Sequence, residues 1–183
     1  MPQLFEFKAS VNDWVHLEQL LLTLNPVFKG TDLQEDTYFN VPYGRLKLRE
    51  GSIENALIHY HRNDIATGKS SDVLLYQHQP ESALKEMLTK ALGIKISIKK
   101  SRKIYFIDNV KFHFDEVNDL GNFIEVEAID KDGSIGMERL KEQCNYFISF
   151  FEIKKEAFIA ESYSDLLLGK KDGVLGNSYT IST

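Results

Sequence analysis

Polar and apolar residues alternate along several short stretches of this chain, most clearly in Arg45-Leu46-Lys47-Leu48-Arg49. On a strand, a period of two puts the three cations on one face and both leucines on the other. Glu6 with Lys8, Lys100 with Arg102, Lys111 with His113 and Asp115, and Glu125 with Glu127 repeat the phase. Together with the turn signals, the pattern predicts eight strands, over 4–9, 36–40, 45–50, 56–62, 72–77, 94–106, 111–117 and 123–128. Pro42-Tyr43-Gly44, Asp108-Asn109 and the segment Asn118 to Gly121 supply turns. Asn12-Asp13 is positioned to cap a helix that carries Trp14, Leu17, Leu20, Leu21 and Leu24 on one side. A second helix starts at Pro80 and stops at Gly93. Two more are expected over 135–149 and 154–168.

Eight mostly antiparallel strands flanked by helices define an α+β fold. Closure of the strands into a barrel would remove exposed edges. The inner face then carries Glu6, Lys8, Arg45, Lys47, Arg49, Arg62, Lys100, Arg102, Lys111, His113, Asp115, Glu125 and Glu127. Eight of these are cations and four are carboxylates, so the interior is expected to hold a surplus of four positive charges. Unpaired ions are costly to bury, by several kcal/mol each, so such an interior calls for a polyanionic ligand. The outer face would carry Leu46, Leu48, Val110, Phe112, Phe114, Ile124 and Val126, which the amphipathic helices can cover.

Length and charge narrow the function classes. A chain of 183 residues suffices for one domain with a sizeable core. The expected division is a single domain over 1–170 and a loose Gly- and Ser-rich tail over 171–183. A net charge of −5 argues against a nucleic-acid-coated surface but allows a local basic channel. The one cysteine, Cys144, excludes an internal disulfide and a multi-cysteine metal site; it reads as buried packing on a helix. No apolar run is long enough for a membrane helix, and Glu6 interrupts the start before any leader-like apolar stretch. The expected location is the cytoplasm, with no membrane and no nucleic-acid partner. A homodimer is left open.

The charges match a triphosphate, whose four or so negative charges accept hydrogen bonds from Arg and Lys. Carboxylates among the cations fit Mg²⁺ or Mn²⁺ bridging protein to phosphate. His59 and His61 are out of phase with Arg62, so they point outward, and two histidines do not complete a zinc site. His113 is in phase with the cations; a phosphate contact and a structural hydrogen bond are both open to it. No Gly-rich phosphate loop is present.

The sequence resembles the CYTH superfamily, the triphosphate tunnel metalloenzymes, and within it the class IV adenylate cyclase branch. The likeness is carried by Glu6-Phe7-Lys8, Asp36-Thr37-Tyr38-Phe39, Tyr43 to Glu50, Lys100-Ser101-Arg102, His113-Phe114-Asp115, Leu120 to Glu127 and Ser162 to Leu167. It implies an eight-stranded tunnel that holds a triphosphate with divalent metal. Lys8, Arg45, Lys47, Arg49, Arg62, Lys100, Arg102 and Lys111, with His113, would bind phosphate. Glu6, Asp115, Glu125 and Glu127 would bind Mg²⁺ or Mn²⁺. The family's first-strand signature is Glu-x-Glu-x-Lys, and Leu4 stands here in place of the first Glu. Cyclisation of ATP to cyclic AMP and pyrophosphate is the leading activity. Hydrolysis of thiamine triphosphate, a nucleoside triphosphate or inorganic triphosphate is the alternative, and a non-catalytic nucleotide or polyphosphate binder is a third reading. An RNA 5′-triphosphatase lacks an RNA platform in the sequence. An outer-membrane barrel shares the polar lumen but not the amphipathic helices.

Overall fold

The computed structural model describes residues 3–62, 71–79, 82–171 and 173, with the side chains at 61, 62, 71, 72 and 82 excepted. Eight antiparallel strands form one sheet: β1 (Gln3–Val11), β2 (Val27–Phe39), β3 (Arg45–Gly51), β4 (Ala56–Arg62), β5 (Ser71–Gln77), β6 (Ile94–Ile107), β7 (Val110–Val117) and β8 (Gly121–Asp130). Four helices accompany them: α1 (Val15–Leu22), α2 (Ser82–Leu92), α3 (Met137–Phe150) and α4 (Tyr163–Lys171). The order across the sheet is β1-β8-β7-β6-β2-β3-β4-β5.

All eight predicted strands are present. The sheet curls into a half-barrel whose end strands, β1 and β5, do not pair among the described residues. The tunnel is thus formed by curvature, and the hydrogen-bond closure expected from sequence is not made there. The curl shows in one contact. Lys111 on β7 reaches Glu54, just beyond β3, at 2.7 Å. Three strand steps separate β7 from β3, about 14 Å on a flat sheet, so the inner faces of the two arms must turn toward each other.

Burial explains the curl. On the convex face Phe112, Phe114, Ile124 and Val126 are fully buried, packed with Leu17 and Leu21 of α1 and Leu140, Cys144 and Phe147 of α3. Phe112 meets the rings of Phe147 and Phe151 edge-on. The helices cover the apolar stripe that the alternation predicted. The N-cap of α1 is Trp14, without a side-chain cap, and not the expected Asn12-Asp13 pair; Asp13, one residue earlier, accepts a hydrogen bond from the Val15 N–H at 2.8 Å.

Two elements differ from the sequence reading. β2 begins at Val27, nine residues before the predicted start at 36. Its inward side chains Asp32, Gln34 and Asp36 are polar and its outward Leu33 is exposed, so the usual contrast between a wet and a dry face is absent. The predicted helix over 154–168 forms only in its last part, where α4 begins at Tyr163. A single 3₁₀ turn (Lys155–Ala157) is followed by Phe158, which bridges Ala9, and by Ile159, whose N–H donates to the Lys8 carbonyl at 2.9 Å. This segment covers part of the open edge of β1, which would otherwise be free to pair. α4 then starts on a reciprocal cap between Ser162 and Asp165. The expected tail over 171–183 and the side chain of Arg62 fall almost wholly outside the described residues, as does His61.

Phe112→Ala should destabilise the fold by about 3–5 kcal/mol through the lost ring and the cavity it leaves. Urea denaturation monitored by circular dichroism checks this, with the midpoint expected to fall at unchanged slope.

Candidate functional site

Register fixes which charges meet. Asp36 lies opposite Arg49, Asp32 opposite Arg102, Arg102 opposite Asp115, His113 opposite Glu125, Lys111 opposite Glu127, Lys8 opposite Glu125 and Glu6 opposite Glu127. Directly opposed residues share a face. Every described inner-face residue expected from sequence is therefore on the concave side.

Three cation centres result. Asp36 is the first. Arg49 donates to both of its oxygens, at 2.9 and 3.0 Å, and Lys100 donates at 2.7 Å. Lys47 stands off at 3.6 Å, flanked by the rings of Tyr38 and Tyr60 at 5.8 Å each. Burial opposes ionisation of Asp36, but Lys100, Arg49 and Lys47 overcome it and hold the carboxyl well below its usual range. Burial, with Arg49 and Arg102 nearby, pulls Lys100 down to about 7. One carboxylate cannot offset three cations.

Arg102 is the second centre. It grips both oxygens of Asp115, with Nε at 2.6 Å, and reaches Glu125 at 3.0 Å. Tyr163 of α4 donates its hydroxyl to the same Asp115 at 2.7 Å and lays its ring 4.6 Å from the Lys8 ammonium. The third is the β3–β4 turn. Glu54 accepts from Lys111 at 2.7 Å and from Arg49 at 3.2 Å. Arg45 lies at the mouth of the half-barrel, bonded to Asp165 of α4 at 3.0 Å, and its Nη1 is buried without a hydrogen-bond partner.

A fourth cluster is acidic. His113, Glu125 and Glu127 each offer a ligand atom, and these atoms lie within 4.8 Å of one another. His113 Nδ1 is 3.2 Å from Glu125 and 3.6 Å from Glu127. The His113 Nε2 atom is buried with no partner. Burial and the adjacent Arg102 hold His113 down to about 4, leaving a neutral ring. Burial and the neighbouring Glu125 push Glu127 up to about 8, whereas Glu125 is held well below its usual range by His113 and Arg102 in spite of its burial. Two close carboxylates that cannot both ionise, beside a neutral imidazole, are what a divalent cation would relieve. Glu6, opposite Glu127, is near enough to raise the Glu127 pKa further. Glu125, Glu127 and His113 therefore fit a cation, while Glu6 faces Glu127 across the strands without belonging to the convergent set of ligand atoms. Asp115 is placed with Arg102 instead, both oxygens occupied.

The expected surplus of four positive charges is not found. β2 adds Asp32 and Asp36 to the concave face, and the β3–β4 turn adds Glu54. Among described residues the face then carries seven cations and seven carboxylates, with His113 neutral. These acids were missed for identifiable reasons. Asp32 lies in the unrecognised first half of β2, Asp36 stands at the first position of the predicted strand with no charged residue in phase after it, and Glu54 lies in a turn, where period-two phase has no meaning. His59 is exposed, with Nε2 3.2 Å from the Tyr43 carbonyl. Cys144 is fully buried and pushed up to about 12, so it is packing and not a nucleophile.

An eight-stranded half-barrel with a concave face of paired ions, sealed on its convex side by helices, defines the class. A CYTH domain model matches residues 4–161, and the chain belongs to the CYTH family. The structure is similar to the PH1012 protein of Pyrococcus horikoshii, with a TM-score of 0.77 at 22% identity over 90% of this chain and 99% of that one. It is also similar to a Pyrococcus furiosus conserved hypothetical protein (0.76, 23%, 90% and 99%) and to a Vibrio parahaemolyticus protein named a "putative adenylate cyclase" (0.71, 17%, 90% and 97%). These likenesses establish the fold. No curated protein matches the chain.

Asp36→Ala should cost about 3–5 kcal/mol, because it strands Arg49, Lys100 and Lys47 without their shared counter-ion. Differential scanning fluorimetry checks it. Added tripolyphosphate should recover more of the loss in the variant than it adds to the wild type.

Proposed function

We propose that this protein is a divalent-metal-dependent enzyme that binds an organic triphosphate on the concave face and cyclises ATP to cyclic AMP and pyrophosphate. One observation carries the reading: on a face of paired ions, Glu125, Glu127 and His113 converge into one group that is ringed by cations. Arg102 touches Glu125, Lys111 lies opposite Glu127 and Lys8 opposite Glu125, and Glu54 links Lys111 to Arg49 on the facing arm. A polyphosphate with a bound metal needs that juxtaposition, with cations along its chain beside a metal site. The family acts on triphosphates with metal, and the name borne by the Vibrio neighbour favours cyclisation.

Lys47 and Arg45 retain the most uncommitted donor capacity: a long ion pair in one and an unpartnered Nη1 in the other. They are suited to recruit phosphate oxygens. Arg49 and Lys111 stay partly open, at 12 and 14% of side-chain exposure, and can shift a bond from protein carboxylate to ligand. Asp115 and Tyr163 hold Arg102 in place. Bound at the acidic group, a divalent ion would supply charge neutralisation at the reacting phosphate. In cyclisation the ribose 3′-oxygen bonds to the α-phosphorus, the bond from that phosphorus to the bridging oxygen of the β-phosphate breaks, and the 3′ proton is released. The fixed charges favour this by orientation and by stabilising the pyrophosphate that leaves.

Incubation with ATP and Mg²⁺ or Mn²⁺, followed by chromatography, tests the reading. Cyclic AMP with equimolar pyrophosphate is expected. ADP with phosphate would replace it with the triphosphatase, and no turnover despite tight binding would replace it with a binding module. Lys47→Ala or Arg49→Ala should weaken triphosphate binding by about 1.5–3 kcal/mol for each charged hydrogen bond removed. Glu125→Gln and Glu127→Gln should abolish metal-dependent turnover while metal-free binding persists. Leu4→Glu should raise metal affinity, since position 4 is on the same strand face as Glu6.

Lys100 gives a pH signature. Its proton leaves near pH 7 in the empty protein, and a bound polyanion favours the charged form. Binding tripolyphosphate should therefore take up a proton at pH 8 and almost none at pH 6. Calorimetry in Tris and in HEPES, whose ionisation enthalpies differ, reads this directly. Lys100→Met should remove the uptake.

A further inference from the structure

Glu54 is fixed where a ligand phosphate would be expected to sit. Its two oxygens bridge Lys111 at 2.7 Å and Arg49 at 3.2 Å, as the paired oxygens of a phosphate would. Asp36 and Asp115, which hold Arg49, Lys100 and Arg102, are almost completely buried on strands, whereas the Glu54 side chain keeps 28% of its exposure. Asp165 on Arg45 is as exposed, but it is engaged in the cap of α4 and holds one cation, whereas Glu54 bridges two from a turn outside the sheet.

That turn is built to hold it. Asp32 is fully buried on β2 and accepts the N–H groups of Ile53 and Glu54 at 2.9 and 3.0 Å. It also takes the Ser52 hydroxyl at 3.0 Å and the Gln34 amide. Asn55 closes the same turn on Gly51 with two hydrogen bonds, at 3.0 and 2.9 Å. A Cβ at Gly51 would come within 2.6 Å of the Asp32 carboxylate, so a glycine is needed for this close approach. The backbone at Glu54 is locked, and only its side chain is left to move. Lys111 and Arg49 together overcome its burial and hold its carboxyl down to about 2, so it is ionised at any working pH.

We propose that Glu54 is an internal stand-in for a phosphate group: it neutralises Lys111 and Arg49 in the empty protein and must be displaced by the ligand's phosphate chain, so that it sets how many phosphates the site rewards. Short anions that do not reach Lys111 leave Glu54 in place and gain nothing from that cation. A chain long enough to reach it swaps one anion for another and frees the carboxylate into the open side of the half-barrel. The inference rests on the concave face being the polyphosphate site.

The test is calorimetric titration of pyrophosphate and tripolyphosphate, without metal, into the wild type and Glu54→Gln. Gln keeps the shape and leaves the Asp32 bonds to the turn intact. The variant should bind tripolyphosphate roughly tenfold more tightly, the equivalent of removing one competing charged contact, and pyrophosphate with little change. Unchanged or weaker tripolyphosphate binding in the variant, or an equal gain for both anions, would overturn the chain-length role. A second measurement separates this failure from failure of the site itself. Without Glu54 the cations Lys111 and Arg49 lack their shared partner, so the melting temperature of the variant should fall at low salt and recover with sulfate more steeply than the wild type. If neither protein binds tripolyphosphate but that recovery is seen, the concave face is not the polyphosphate site, while Glu54 remains a counter-ion. If the recovery is also missing, Glu54 is not the counter-ion of these cations.

Discussion

The rest of the structure depends on the buried pairing of Asp36 with Arg49 and Lys100. Those three groups come from β2, β3 and β6, and β2 lies between the other two. The pairing ties together the middle of the sheet on its concave side. Ions so deeply buried are stable only when each has a partner in good geometry. The helix that reaches this side, α4, brings such partners: Tyr163 donates to Asp115 and Asp165 accepts from Arg45. The convex face has the opposite need, since its aromatic rings must be dried, and α1 and α3 do that. A curved sheet with apolar helix faces outside and a polar helix end at the concave side satisfies both demands.

The ion pairs also bear on how a protein of net negative charge would hold the proposed polyanion site. With seven cations and seven carboxylates, the described concave face has its charges closely matched in the empty state. Under the proposed function, affinity for a polyphosphate would come from exchange and not from raw charge surplus, with ligand oxygens replacing protein carboxylates and a divalent cation offsetting the carboxylates left behind. Metal and triphosphate would then share one linked equilibrium. It also gives a physical role to the close acids Glu125 and Glu127: near neutral pH Glu127 avoids the Glu125 charge by keeping its proton, which an arriving cation would displace.

Much of this was legible in the sequence. The alternation at Arg45 to Arg49 and at Lys100 with Arg102 identified the charged face, because period two has one meaning on a strand. The apolar partners of those residues identified the convex core. What alternation could not show was pairing across strands, which needs register. Asp36 lies in the Asp36-Thr37-Tyr38-Phe39 motif, but only the register with β3 and β6 makes it the hub of three cations. Glu54 sits in a turn and Asp32 on an unrecognised half-strand, so neither had a phase to read. The segment after α3 misled for a different reason. Its helical pattern is real over short windows, yet Phe158 and Ile159 gain more by lying against the edge of β1. The Ser162 to Asp165 spacing, Ser-x-x-Asp, was the available signal for the later helix start.

A crystal structure with a non-hydrolysable ATP analogue and Mn²⁺, recorded at the manganese absorption edge, would locate metal and triphosphate together. The expected result is an anomalous peak coordinated by Glu125 and Glu127, and phosphate oxygens within hydrogen-bond distance of Lys47, Arg49 and Lys111 on the concave face. An analogue bound on the convex side, or manganese held away from the acidic group with the Asp36 and Glu54 ion pairs undisturbed, would contradict it.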